Sequence, residues 1–181
     1  MEMVQDVINF WFKETESKQH FVKDLEFDKV VATRLEPYYQ ALLTKEITLD
    51  LFDPLALLAG CILLDQAPRN MYRDTPEAFA SDARALELAK HAVAYGFDLA
   101  LPANQRLFIY LPYEHAEDRH CQDAAVRLIR HSYGEDSDFY RYAVMHQDVI
   151  DRFGRFVHRN KILGRSSSAE ERSYLAENGG F

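Results

Sequence analysis

Three stretches and one isolated histidine gather residue types suited to acid–base, metal or anion chemistry. The first stretch is LLDQAPRN, residues 63–70, where Asp65, Gln66, Arg69 and Asn70 follow an apolar run. A buried carboxylate is very unfavourable unless it meets a cation, so Asp65 either reaches the surface at a helix end or pairs inward, with Arg69 and Arg73 nearby. Two readings stay open: a hydrogen-bonded tie for the following loop, or the lining of a polar pocket.

The second stretch is LPYEHAEDRHCQD, residues 111–123. If the helix is continuous beyond Pro112, Glu117 lies one turn before Cys121 on the inward stripe, and His115 and Gln122 share a neighbouring face. Histidine and carboxylates serve metal sites and general acid–base catalysis alike. The spacing matches neither H-E-x-x-H nor Glu-x-x-His, so it assigns no metal ligands and calls for no cofactor. His146 stands apart, on the apolar stripe of a later helix. It reads either as a neutral core histidine or, with Asp65, His115 and Glu117, as one corner of a polar cavity.

The third stretch is FGRFVHRNKILGR, residues 153–165. Over residues 151–165, five cations (Arg152, Arg155, Arg159, Lys161, Arg165) outweigh Asp151 for a net +4, which leaves -12 for the remainder of a chain whose total is -8. Arg152, Arg155 and Arg159 share one face if helix persists, and Phe153 and Phe156 another. The guanidinium fork suits carboxylate or phosphate. Pairing with the chain's own acids, a small anionic ligand and an acidic peptide all remain open, whereas nucleic acid is disfavoured by the acidic surroundings.

The elements that must position these residues read as helices throughout. Val4, Val7, Ile8 and Trp11 recur at helical spacing in residues 2–13. A longer pattern over 27–45 contains Pro37, which predicts a kink or two shorter helices. PLALLAGCILLDQ, 54–66, is apolar on nearly all sides and reads as the buried central helix, closed by Asp65. Thr75-Pro76-Glu77 opens a helix that runs to Gly96. Pro102 begins another that ends near Pro112, and one carrying Cys121, Ala125 and Leu128 follows. A long helix from Ser137 to at least Phe153 leads into the arginine-rich stretch. Ser168 and Glu171 form a capping box for a terminal helix over 168–177.

The chain has 181 residues, 48% of them hydrophobic, which predicts one all-α domain over 1–181: a multi-helix bundle with a single core. No apolar run is long enough to cross a bilayer, and the acidic start of the chain does not resemble a secretory signal. Two cysteines form no disulfide framework, so a reducing cytoplasm is the expected location, with no membrane or nucleic-acid partner.

The ordered motifs LLDQAPRNMYR, AFASDARALELA, RLFIYLPYEHAEDRHCQ and HQDVIDRFGRFVHRNKILGRSSSAEERSYL together resemble the bacterial domain-of-unknown-function family 924. The resemblance runs from the FWF of the first helix to Leu175 and implies a tetratricopeptide-like arrangement of antiparallel helices. Its polar positions fall on Asp65, Gln66, Arg69, Asn70, His115, Glu117, Gln122, His146, Arg155, His158, Arg159, Asn160 and Arg165. The family pattern reads FGRFPHRN, and this chain has Val157 in place of the proline. The resemblance carries no reaction.

The leading functional expectation is a small anionic ligand or acidic peptide bound in an arginine-lined polar pocket formed by those residues. An enzyme using His115, Glu117 and His146 for acid–base or metal-assisted chemistry is the alternative, and a purely structural role for the motifs is the third.

Overall fold

Local signals start and stop most of the helices. In the computed structural model, which describes residues 2–180, all regular secondary structure is helical. Helix α1 (Glu2–Asn9) runs into a π-turn at Phe10–Glu14. Helix α2 (Leu25–Leu43) is capped by Asp24, whose side chain accepts from the N–H groups of Glu26 and Phe27. Helix α3 (Pro54–Cys61) is capped by Asp53 with proline at its first turn. Helices α4 (Ala67–Met71), α5 (Asp82–Ala94) and α6 (Ala103–Glu114) follow. Asp118 caps α7 (Arg119–Tyr133), Ser137 caps α8 (Asp138–Phe153), and Ser168 and Glu171 form the expected capping box of α9 (Ala169–Asn178). Each such cap is worth about 1 kcal/mol.

The chain divides into two compact units. The first comprises residues up to Arg73 with Glu77–Pro112, and the second comprises Asp74–Pro76 with the residues from Tyr113 onward. In the first, α2 packs on α4, α3 on α5, and α1 on α3. Leu57, Leu58, Ile62 and Leu63 are completely buried, as an all-round apolar helix requires. In the second, the short turn before Ser137 folds α8 back along α7, and Val149, Ile150 and Phe156 form a core against which Phe153 and Tyr174 pack.

Several expected boundaries moved, each for a local reason. Pro37 lies inside an unbroken α2, whereas α6 ends at Glu114, two residues past Pro112, close to the expected place. Asp65 does not close the central helix. A π-turn at Ile62–Gln66 joins α3 to α4, so the helical path continues to Met71. Pro68 explains the widened turn, because it has no N–H to give the Leu64 carbonyl and its ring crowds that oxygen. The Ser81 hydroxyl donates to that buried carbonyl instead, at 2.6 Å. Thr75-Pro76 opens only a 3-10 turn, Pro76–Phe79, and the α-helix begins at Asp82.

The helix beyond Pro112 is not continuous. It stops at Glu114, and His115 and Glu117 occupy the connection before Asp118. Nor does helix persist through the arginine-rich stretch. Gly154 adopts a left-handed φ of 69° and ends α8, so Arg152, Arg155 and Arg159 do not share a helical face. Val157 opens a 3-10 turn, Val157–Arg159, at the first helical position, which proline also accepts. Valine and the family proline therefore suit the same path.

Candidate metal centre

In the first unit the polar residues expected from sequence are held by the chain's own acids. Asp65 is fully buried, Gln66 donates to its Oδ2, and Arg69 lies 3.2 Å from its Oδ1. The same guanidinium donates twice to Asp82, at 2.9 and 3.0 Å. Asn70 donates to Asp28 at 2.8 Å, and Arg73 donates to both oxygens of that carboxylate at 2.7 Å. Burial raises the Asp28 pKa, but Arg73 and Asn70 outweigh it and hold the carboxyl below its ordinary range.

The second unit contains His115, Glu117, Gln122, His146, Arg155, His158, Arg159, Asn160 and Arg165. Gln122, fully buried on α7, donates through Nε2 to the carbonyls of Glu114 and Ala116 at 2.7 and 2.8 Å. Those carbonyls lie at the end of α6 and just beyond it, where the helix cannot satisfy them itself. One glutamine thus fixes the place where Glu114 and His115 emerge.

Glu117 acts on the arginine-rich stretch. Its carboxylate receives two hydrogen bonds from Arg165, at 2.7 and 2.9 Å, and the N–H of Phe156 at 2.8 Å. Arg155 forms a forked pair with Glu171, at 2.8 and 3.0 Å. Asn160 donates to Ser167 at 3.0 Å. The Phe156 ring, completely buried, has the Arg159 guanidinium 4.5 Å from its centroid and the rings of His146 and His158 at 5.5 and 5.7 Å.

Glu114, His115 and His146 come together. Each offers one ligand atom, and the three atoms lie within 4.8 Å of one another. Glu114 and His146 are 4% and 7% exposed, and His115 is half-buried. His146 Nδ1 lies 2.9 Å from the Tyr142 carbonyl and 3.3 Å from Glu114 Oε1. The Tyr142 carbonyl can only accept, so Nδ1 carries the proton of the neutral ring and Nε2 holds the lone pair. Burial, then the neighbouring His115, with further positive influence from Arg159 and His158, pushes His146 down to about 3. At neutral pH it is an uncharged nitrogen donor.

Glu114 was not among the residues singled out from sequence. The signal was present: Leu107, Leu111 and Glu114 share one helical stripe, so a carboxylate continues an apolar face and adjoins His115. Asp28 and Asp82, which hold Arg73 and Arg69, carry no comparable mark in the sequence, and Glu171 is marked there only as a capping residue and not as the partner of Arg155.

The description of a bacterial protein of unknown function, DUF924, fits residues 7–179 of the chain. A solved protein of unknown function from Agrobacterium tumefaciens, ATU0120, is similar over 98% of both chains, with 37% identity and a TM-score of 0.90. No curated protein matches.

Proposed function

Because the chain belongs to the bacterial family of unknown function DUF924, a reaction has to come from its own side chains, and we propose that the second unit holds a divalent transition metal at Glu114, His115 and His146. The observation carrying this reading is the convergence of one carboxylate and two imidazoles to within 4.8 Å. Imidazole and carboxylate are the ligands of zinc and its neighbours, and three protein ligands leave a position for water or substrate. At about 2.0–2.1 Å from the metal, two ligand atoms are no more than about 4.2 Å apart, so metal binding would have to draw the three side chains closer, with His146 presenting Nε2. The Tyr142 carbonyl supplies the outer hydrogen bond that fixes the tautomer of a ligating histidine.

Acid–base catalysis by His146 alone fits less well, since a proton-transfer group works best with a pKa near the operating pH. A small anionic ligand enters this reading as an outer ligand of the metal, with Arg159 and His158 adding positive charge around Phe156. Arg155 and Arg165 are held by Glu171 and Glu117 and support the fold. Two buried free thiols, Cys61 and Cys121, are in keeping with a reducing cytoplasm. No helix among the described residues is long and apolar enough to cross a membrane.

Cobalt substitution tests the site. The full chain, freed of metal with a chelator, takes up one Co2+ with a visible d–d absorption band, and His115→Gln or His146→Gln weakens uptake at least tenfold. His131→Gln, on an exposed position, leaves it unchanged. Absence of a stoichiometric site, or uptake indifferent to both His115→Gln and His146→Gln, overturns the reading. His115 is half-buried, so its variant keeps the test usable if His146→Gln does not fold.

A further inference from the structure

The first unit carries a cleft of about 320 Å³, open to solvent on one side, between the end of α2, the segment after it, and α5. Its walls are mainly apolar: Leu42, Ile47, Leu49, Leu64 and Leu88 line it. Sites for small organic molecules have this character, with a volume of about 300–1,000 Å³, apolar walls and a few fixed polar groups.

The polar groups here are mostly cationic. Lys45 and Arg84 line the cavity with Thr48 and one acid, Glu87. Arg84 donates to the Leu42 carbonyl at 3.1 Å, which anchors its guanidinium on the wall. Among the described residues neither Lys45 nor Arg84 lies within ion-pair distance of a carboxylate, in contrast to Arg69 and Arg73 of the same unit. Lys45 also has a φ of 64°. It follows the C-cap residue of α2, a place where glycine or asparagine is usual, so the lysine side chain is present despite an unfavourable backbone.

We propose that this cavity binds a medium-chain aliphatic carboxylate, with its alkyl body against the leucines and its carboxylate facing Arg84 and Lys45. The charge selects the anion, because two cations against Glu87 leave the cavity net positive. The apolar walls select the chain, since removal of its methylenes from water supplies the main driving force. Arginine meets the carboxylate with a planar fork and lysine with a point charge. The proposal does not depend on the metal centre.

Gly60 provides a way to close the cavity from behind. A Cβ at this position would stand 2.5 Å from Leu49 Cδ1 and 2.6 Å from Leu88 Cδ1. Both are ends of flexible side chains that line the cavity, so Gly60→Ala displaces them into it while the helix path is kept.

Methyl NMR of the full chain, in the presence of a metal chelator, tests the proposal with octanoate, octanol and butyrate as probes. Octanoate produces saturable shifts at the methyls of Leu42, Leu49, Leu64 and Leu88. Octanol and butyrate bind more weakly, because each lacks one of the two determinants. Arg84→Met weakens octanoate roughly tenfold, and Gly60→Ala abolishes its binding. No saturable shift with octanoate overturns the proposal, as does equal binding of octanol and octanoate that is unaffected by Arg84→Met. Should Gly60→Ala unfold the chain, Arg84→Met and Lys45→Met carry the test.

Discussion

Glu117 and Arg165, 48 positions apart, together hold both backbone groups of Phe156. Glu117 accepts the Phe156 N–H at 2.8 Å and two hydrogen bonds from Arg165, while Arg165 also donates to the Phe156 carbonyl at 3.0 Å. This pair sets the exit of the chain from α8 and keeps the Phe156 ring against His146.

Glu117→Gln therefore loosens the whole exit. Hydrogen bonds to charged groups contribute about 1.5–3 kcal/mol, and 1 kcal/mol is worth roughly 2–4 °C in Tm at this chain length. A thermal melt is expected to fall by about 3–12 °C. An unchanged Tm would refute the clamp.

Ser81→Ala removes the donor to the Leu64 carbonyl in a position where Pro68 has no N–H to offer. A buried carbonyl left without its partner costs about 1–3 kcal/mol. Urea melts should show that loss of stability with an unchanged slope, while Ser173→Ala, on the exposed side of α9, shifts the midpoint little.

His20 gives the fold an acid-sensitive element. Its ring is stacked on Trp11 with centroids 4.5 Å apart. The Thr15 hydroxyl gives its proton to the Trp11 carbonyl, so His20 Nε2, 2.8 Å from Thr15 Oγ1, is the donor to it. Burial pushes His20 down to about 4 from 6.5. Between those values the unfolded chain binds the proton and the folded chain does not, so stability falls as pH drops through that window. The contribution is whole above about pH 6.5. Stability measured at pH 7 and at pH 4.5 should differ less for His20→Gln than for the parent chain, and equal differences would reject the assignment.

Glu171 acts in a lower window. Two hydrogen bonds from Arg155 and the N–H of Ser168 hold its carboxyl down at about 2, against an ordinary 4.5. A lowered folded pKa contributes stability that is present above the unfolded value and lost as pH falls through the folded one. The destabilisation caused by Glu171→Gln is thus expected to be full at pH 6, smaller at pH 3 and nearly gone near pH 2. Denaturant midpoints at those three pH values are the check.

Helix identity was legible from the sequence because apolar periodicity and capping chemistry are local. The Ser168 capping box and the start of α8 after Ser137 appear where the residues indicate. Pro37 was the misleading signal. Pro37 removes one backbone hydrogen bond, yet α2 continues through it, since packing along a long apolar face outweighs one missing bond. Gly154 had the opposite effect: a left-handed residue ended α8 and separated Arg155 and Arg159 from the helical face of Arg152.

The sequence by itself determined an all-helical fold and family membership, because both are written in local spacing and in ordered motifs along the chain. It also singled out Asp65, Arg69, His115, Glu117, His146, Arg155 and Arg165, but not Glu114, Asp28 or Asp82. Only the tertiary structure decided their partners. Arg155 meets Glu171, Arg165 meets Glu117, and Glu114 rather than Glu117 joins His115 and His146. The physical reason is that a charge or a lone pair acts over a few ångströms in space. Which groups come that close depends on where α6 ends, how Gln122 holds that end, and how α8 folds back, none of which is a property of neighbouring residues in the chain.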